Sequence, residues 1–283
     1  MIRSLTSAVS GIQAFQEELD VIGNNIANVN TIAFKSARTD LADSFSQTLT
    51  TAGASGGTTD QVGLGVTTAA IKNQYTQGAI TRTGVQTDLA VAGNGFFVVK
   101  DAVSGNTYVT RAGNFQIDQS GYLVTNAGLR VQGYNDLALG TVGDVQIDAT
   151  VRPLTVDPTA TMSSYSIDAL GKITIQLSDG SDYVRGQILM QDFSNPQALI
   201  KQGNNLYAGI GAAGPLGGGS SPTPAASGTN GLGVIQSGAL ELSNVDLSNE
   251  FANLIQTERA FQANARIITT SDEMMQELVN LKR

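Results

Sequence analysis

The sequence predicts an α+β protein in which long, discontinuous N- and C-terminal helices form a coiled coil and flank one inserted, mainly antiparallel β domain. Three observations lead to this prediction. Apolar residues recur at helical spacing at both ends of the 283-residue chain. Between the ends, apolar and polar residues alternate with period two, and short turns rich in Gly, Asn and Asp separate the alternating runs.

Residues 1–30 predict the first terminal helix. Apolar side chains recur there at steps of three, four and seven residues, and Gly11 and Gly23 are the only glycines. This spacing predicts an amphipathic helix of about 27 residues, roughly 40 Å long. Its apolar stripe comprises Ile2, Leu5, Val9, Ile12, Phe15, Leu19, Ile22, Ile26 and Val29.

Residues 241–283 predict the second terminal helix. A repeat of seven residues is typical of coiled coils, although an ordinary bundle face with a solvated flank shows the same pattern. Asn244 or Asp246 is expected to cap the helix, with Glu250 in its first turn. The first apolar line is Leu247, Leu254, Phe261, Ile268 and Met275, and a second line four residues on is Phe251, Ala265 and Val279, interrupted by Glu258 and Asp272.

Residues 71–240 predict the β domain, because short alternating runs are separated there by turn sequences. The clearest runs are LAVAG, GFFVVK, TYVTR, NFQID, GYLVT, LRVQGY, KITIQL, YVRGQILM and NLYAG. The Gly/Ser/Pro-rich stretch 209–233 predicts a flexible surface excursion or a linker. Residues 31–70 predict a connecting segment, in which TTAGASGGTTDQ at 50–61 is expected to be mobile.

Composition argues against catalysis and against several kinds of ligand. The chain has neither cysteine nor histidine, which removes thiolate and imidazole metal ligands and the Ser-His and Cys-His nucleophile pairs. Charged residues make up 14% of the chain and the net charge is −8, which disfavours nucleic acid as a partner. No secretory signal is visible, and no apolar run reaches the ~18 residues of a membrane span. We expect no catalytic residue, no cofactor, no metal and no small-molecule substrate.

The terminal helices are expected to fold fully only on assembly. The backbone entropy lost on ordering them is similar in size to what their hydrogen bonds and apolar burial return, so one isolated pair is marginal. Neighbouring identical chains that bury the remaining apolar stripe would shift this balance.

Three segments resemble the flagellar rod and hook proteins. The first is LDVIGNNIANVNTIAFKSAR, in which a helix ends in an Asn-rich stretch before a Phe-Lys pair. The second is QGAITRTGVQTDLAVAGNGFFVVK with the following YVTRAGNFQIDQSGYLVTNAGLRVQGY, and the third runs from SGALELSNVDLSNEF to the end of the chain. The resemblance covers nearly the whole chain in order. Ala33 departs from it, because glycine is usual before the Phe-Lys pair.

The resemblance implies a hook subunit that is exported without a leader through the flagellar type III apparatus to the cell exterior. Identical subunits would form a hollow helical tube that transmits torque as a universal joint, with the helices as an inner coiled-coil layer and the β domain as the outer wall. The chain ends are similar to those of short hooks that lack an extra outer domain. A distal rod subunit is the alternative, and a secreted β-rich adhesin or polysaccharide-acting enzyme is the alternative of a different class.

The resemblance also implies the residues and partners of self-assembly. From their spacing of one helical turn, Asn24 and Asn28 are expected to hydrogen-bond across subunits and fix their registry, and a frayed helix end is the alternative interpretation of this Asn cluster. Other axial proteins of the flagellum, namely the distal rod, hook cap and hook–filament junction, are expected partners. The expected interface residues are Leu5, Val9, Ile12, Phe15, Leu19, Ile22, Asn24, Asn25, Asn28, Asn30, Phe34, Lys35, Leu247, Phe251, Leu254, Phe261, Ala265, Ile268, Met275 and Leu278.

Overall fold

The computed structural model describes residues 2–50, 60–148, 151–153, 159–217 and 223–281. The chain divides into two compact units. The helical unit consists of Met1–Val29, Lys35–Gln74 and Val245–Arg283, and the sheet unit consists of Asn30–Phe34 and Tyr75–Asn244. The helices of the described residues are α1 (Ile2–Ala27), α2 (Ile210–Ala213) and α3 (Leu247–Leu281), with a short 3-10 helix at Pro196–Ala198.

In the helical unit, α1 and α3 pack against each other. Asp246 caps α3, because its Oδ1 accepts hydrogen bonds from the backbone N–H groups of Ser248, at 2.9 Å, and Asn249, at 3.4 Å. This confirms the cap predicted at Asp246 and satisfies donors that the first helical turn leaves without a partner.

The helical unit also contains two antiparallel strand pairs, within residues 37–50 and 60–73, where the sequence predicts mainly a connecting segment. The strands are β1 (Ala37–Asp43), β2 (Ser46–Thr50), β3 (Asp60–Gly63) and β4 (Val66–Asn73), paired β1 with β4 and β2 with β3. In β1 and β4 the inward positions are occupied mainly by Thr and Ala, and this is a weaker signal than large apolar side chains. Residues 51–59 of the expected mobile segment lie outside the described residues.

An ion-pair cluster joins strands β1 and β4. Asp40 on β1 accepts from Lys72 on β4 at 2.7 Å and from Arg38 at 3.0 Å. The hydrogen bond from Lys72 is the main reason why the pKa of Asp40 lies below its ordinary value. The groups are solvated, so the cluster contributes little to stability.

The sheet unit contains β5 to β20, and all pairings found among its described residues are antiparallel. Two small sheets pair β5 (Ile80–Arg82) with β20 (Ala239–Glu241), and β6 (Leu89–Ala92) with β19 (Val234–Ser237). The large sheet comprises β7 (Phe96–Lys100), β8 (Thr107–Thr110), β9 (Gln116–Ile117), β10 (Leu123–Val124), β11 (Arg130–Tyr134), β12 (Val142–Asp144), β13 (Met162–Ile167), β14 (Lys172–Leu177), β15 (Asp182–Gln191), β16 (Ile200–Gly203), β17 (Leu206–Ala208) and β18 (Ala225–Ala226).

The main path of the large sheet runs β13, β14, β15, β11, β7, β8, β17, β16. Strand β7 is buried on both faces, which explains its unbroken apolar run. Phe97 and Val99 point into one core cluster, and Phe96 and Val98 point into a second. Each predicted run contains a strand, so the mixed helix and antiparallel sheet content is confirmed.

The described parts of the Gly/Ser/Pro-rich stretch 209–233 pack against the core, contrary to the expected flexible excursion. Ile210 in α2 belongs to the second core cluster and Leu232 to the first. Ser227 is fully buried, and its hydroxyl accepts from the backbone N–H of Ile235 at 3.2 Å. Small residues allow such close backbone packing, and composition alone does not distinguish this from flexibility.

Ala33 adopts the left-handed conformation, with φ +55°, and is fully buried in the sheet unit. Its N–H donates to the carbonyl oxygen of Glu241 at 2.8 Å. The bend before Phe34 therefore forms with alanine in place of the usual glycine, at a cost of roughly 1–2 kcal/mol of backbone strain.

Candidate assembly surface

We call the contact surface between α1 and α3 the seam. Of the two apolar lines predicted on α3, one faces the seam and the other does not. Leu254, Phe261, Ile268 and Met275 are half-buried in the structure, as expected for a line that faces α1. The second buried line lies three residues on rather than four, and it is polar: Thr257 and Ser271 are buried, and Asn264 between them is half-buried. The apolar pattern of the sequence predicted Phe251 and Val279 in this second line instead, and both are exposed.

Large apolar residues remain exposed on two flanks of α3. At about 100° per residue, all of them except Val279 fall into two groups on opposite sides of the seam. We name them the early patch and the late patch. The early patch is Leu247, Phe251 and Ile255, and the late patch is Ile267, Met274, Leu278 and Leu281.

The exposure of these patches is large for apolar side chains in a folded chain. Phe251 is 50% exposed, Ile255 57%, Leu278 51% and Leu281 81%. Contiguous exposed apolar residues mark surfaces that contact another molecule. Two patches on different flanks give one helix two separate contact surfaces.

The residues expected at the interface fall into three groups by burial. The exposed ones are Val9, Asn24, Asn30, Leu247, Phe251 and Leu278. The half-buried ones are Leu5, Ile12, Phe15, Leu19, Asn28, Leu254, Phe261, Ala265, Ile268 and Met275. Ile22, Asn25, Phe34 and Lys35 are buried within the chain, so their side chains contact the protein's own fold rather than solvent. Sequence reasoning missed Ile255, Ile267, Met274 and Leu281, although i, i+4 spacing from Phe251 would have found the first.

The asparagines at the end of α1 act within the chain. The Nδ2 of Asn28 donates to the backbone oxygen and to the Oδ1 of Asn24, both at 2.9 Å. The buried Asn25 joins α1 to β1, because it donates to the carbonyl of Ala37 at 2.8 Å and accepts from the N–H of Ala37 at 3.0 Å. It also donates to Glu250 at 3.1 Å. The Asn24–Asn28 hydrogen bond lies within the chain, and the bonds across subunits expected for this pair stay a prediction.

Phe34 lies in the sheet unit, 4.8 Å from its ring centre to the Nζ of Lys201. This is a cation–π distance. Burial lowers the pKa of Lys201 below its ordinary value.

Gly11 and Gly23 provide a matched test of the seam. A Cβ on Gly23 would meet no atom within 4 Å, whereas a Cβ on Gly11 would lie 2.7 Å from the Nδ2 of Asn264. Gly23→Ala is expected to raise the free energy of unfolding of the helical unit by about 0.5–1 kcal/mol, because alanine favours helix. Gly11→Ala is expected to leave the free energy of unfolding unchanged or to lower it, because the added Cβ meets Asn264.

Thermal unfolding followed by far-UV circular dichroism measures both changes. Adding Asn264→Ala to Gly11→Ala removes the clash and is expected to recover part of the helix gain. Equal stabilisation by the two single alanine variants would show that α3 does not approach Gly11 as closely as the structure has it.

Two carboxylates beside the seam have raised pKa values. Burial raises the pKa of Glu18, partly offset by a hydrogen bond from Thr257. Burial also raises the pKa of Glu250, partly offset by Asn25, and the negative charge of Asp246 adds to the rise. A raised pKa in the folded state means that the charged form costs stability, and that proton binding favours folding.

The helical unit is therefore expected to lose stability as the pH rises from the ordinary glutamate value of 4.5 through the raised values towards neutrality. The double variant Glu18→Gln with Glu250→Gln should be more stable than the parent at neutral pH and equal to it in acid. The measurement is the difference in unfolding free energy between the two proteins across this range. Glu17→Gln, at an exposed position of α1, is the control, and a difference that does not change with pH would contradict the prediction.

The described residues contain no group of three or more acidic side chains placed to hold a metal ion. Within the same residues, no helix has the length and apolar character needed to cross a membrane. A cavity of about 350 Å³ in the sheet unit is lined mainly by Thr, Asn and small apolar residues, and no titratable side chain lines it.

Exposed apolar patches of this kind are typical of structural subunits that contact other protein chains. Three family models match the chain in order: "Flagella basal body rod protein" at residues 5–35, "Flagellar hook protein FlgE/F/G D1 domain" at 90–175, and "Flagellar basal body rod FlgEFG protein C-terminal" at 236–281. The flagellar basal-body rod protein FlgG of Bacillus subtilis is 41% identical over the full length of both chains. The chain belongs to the family of flagellar rod and hook proteins. It is a structural protein of the bacterial flagellum and not an enzyme.

Other relatives include a rod protein and a hook protein. FlgG of Caulobacter vibrioides is 33% identical, with 99% of this chain and 100% of that protein covered. The flagellar hook protein FlgE of Borreliella burgdorferi is 29% identical over an alignment of 449 residues that covers both chains completely. The crystal structure of Helicobacter pylori hook protein FlgE2 aligns with 57% of this chain and 100% of that chain, at 11% identity and a TM-score of 0.43, which is too low to support an argument.

Proposed function

We propose that the chain polymerises into the axial tube of the flagellum through the two patches of α3. The observation that supports this is their position on opposite flanks of one helix. The early patch of one copy would pack on the late patch of the next, which is a heterologous contact. Contacts of this kind do not close into a dimer, and they generate rings or helical filaments.

The terminal helices would then form the inner coiled-coil layer of the tube, and the sheet unit would form the wall outside it. In a tube, each α3 loses most of the water contact that its apolar residues have in the single chain. Each fully buried Leu, Ile or Phe contributes about 1.5–3 kcal/mol. Assembly would therefore stabilise the helical unit, in line with the expectation that it is marginal in a single chain.

The comparisons favour the rod over the hook as the position in the tube. The sequence alone led us to expect a hook subunit, with the distal rod as the alternative. The FlgG protein of Bacillus subtilis matches at the higher identity, over an alignment of 288 residues that is nearly as long as this chain. The FlgE relative needs an alignment of 449 residues, so it contains long segments with no counterpart here.

The hook is the second candidate, supported by the hook-like ends of the chain and by the FlgE relative. Partners beyond identical copies would be the neighbouring axial proteins and the type III export apparatus. Family membership sets aside the alternative of an adhesin or a polysaccharide-acting enzyme.

Electron microscopy of concentrated purified protein tests polymerisation. Hollow tubes are expected, straight for a rod subunit and curved for a hook subunit. Protein that remains monomeric at every concentration would refute the proposal.

A strain that lacks the gene tests whether the chain is a rod subunit or a hook subunit. A rod subunit predicts isolated basal bodies with an incomplete rod and no hook, whereas a hook subunit predicts a complete rod without a hook. Complementation with the intact chain is the control.

A further inference from the structure

We infer that the polar layers of the α1–α3 seam set the register in which the two helices pair, while the apolar layers mainly supply burial. The inference goes beyond polymerisation, since it concerns how one chain chooses among several possible pairings of its own helices. It rests on three contacts that recur at one regular spacing.

The three contacts form an antiparallel ladder. Asn25 donates to Glu250 at 3.1 Å, Glu18 bonds Thr257, and Gly11 lies against Asn264. Each step of seven residues back along α1 is matched by a step of seven residues forward along α3. The next step places Ser4 opposite the buried Ser271.

Apolar layers alternate with these polar ones. The apolar residues of the seam repeat at the same seven-residue step, one residue out of phase with the ladder, and we pair Ala8 with Ile268, Phe15 with Phe261, and Ile22 with Leu254. Ala8 and Ile22 are 2% and 5% exposed. If α3 slipped by one heptad, about 10 Å, each apolar residue of α1 would still face an apolar residue. The apolar layers therefore discriminate poorly between registers.

The polar layers distinguish the native register from the two slipped registers. A slip in one direction places Glu18 opposite Glu250, so that two carboxylates face each other and repel. A slip in the other direction places Asn264 opposite Glu18, where α1 offers no glycine to make room for the amide. Either slip also breaks the bond between Asn25 and Glu250. Polar groups at single seam positions are known to specify the register of coiled coils.

Cysteine pairs can report the register, because the chain contains no cysteine of its own. The pair Ala8→Cys with Ile268→Cys reports the native register. The pairs Ala8→Cys with Phe261→Cys and Ala8→Cys with Met275→Cys report the two slipped registers. Oxidation of dilute full-length protein, followed by non-reducing electrophoresis, separates cross-links within one chain from those between chains.

The intact seam is expected to form the native cross-link about tenfold or more faster than either slipped one, given the cost of a mismatched polar group. In the ladder variant, Glu18→Ala, Glu250→Ala and Asn264→Ala, the slipped cross-links are expected to form at rates approaching the native one. The control variant carries Glu17→Ala, Glu258→Ala and Gln262→Ala at exposed positions of the same helices, and it should keep the native preference.

Three outcomes would overturn the inference. The first is that the ladder variant forms only the native cross-link, which would mean that the chain connections set the register. The second is that the intact seam forms slipped cross-links at the native rate. The third is that the ladder variant loses its helical circular dichroism signal, which would assign the polar layers to stability rather than register.

Discussion

Replacing Glu241 with alanine is expected to destabilise the sheet unit by about 3–5 kcal/mol, because it leaves a buried arginine without its counter-charge. The side chains of Arg111 and Glu241 are 5% and 0% exposed, and their Nη1 and Oε2 atoms are 3.2 Å apart. The other oxygen of Glu241 accepts from the N–H of Gly78 at 2.9 Å. Urea unfolding followed by a spectroscopic probe of the sheet unit measures the loss.

Two variants control this prediction. Arg111→Met combined with Glu241→Leu removes both charges and is expected to recover much of the lost stability, since apolar replacement of a buried pair is often tolerated. Asp40→Ala breaks a solvated ion pair and should cost less than about 1 kcal/mol. A loss for Glu241→Ala no larger than that for Asp40→Ala would contradict the proposed importance of the buried pair.

Replacing the early patch by charge is expected to abolish polymerisation. In the double variant Phe251→Asp with Ile255→Asp, two apolar side chains that we place in the contact between copies become carboxylates. Each side chain contributes about 1.5–3 kcal/mol on burial, so together they lower the affinity between copies by roughly a hundredfold or more. Sedimentation and electron microscopy measure polymer formation, and circular dichroism checks that the monomer is unchanged.

The matched control is Gln262→Asp with Thr269→Asp, at exposed positions of the same helix that have no patch residue three or four positions away, which should leave polymerisation intact. Because the contact is heterologous, the early-patch variant retains a functional late patch. Small amounts of it should therefore attach to one end of a growing polymer of the parent protein and stop growth there. Polymerisation of the early-patch variant at the parent's rate would refute the role of this surface.

Of the sixteen strands that the described residues of the sheet unit form, the sequence predicts nine, most of them marked by large apolar residues. The run GFFVVK is apolar almost throughout, and the structure buries β7 on both faces. The pair β1 and β4 was not predicted, because its alternation uses Thr and Ala, whose burial depends on the neighbouring helix rather than on their own apolar area.

The seam was only half predicted. The line through Phe261 is visible as an apolar heptad, whereas the line through Thr257 and Ser271 consists of residues that are usually exposed. The burial of Asn25 depends on Glu250, which lies 225 residues away in the chain. Pairings at such separation leave no local pattern, and a single sequence taken by itself contains no signal that would reveal them.

The helical unit is built from both ends of the chain, and this determines when it can be completed. Synthesis reaches α1 before α3, whose residues appear only after Asp246. At about 5–20 residues per second, α1 waits roughly 12–50 seconds for its partner. A nascent chain that has not yet reached α3 therefore has neither patch, and under the proposed mechanism it cannot enter a polymer.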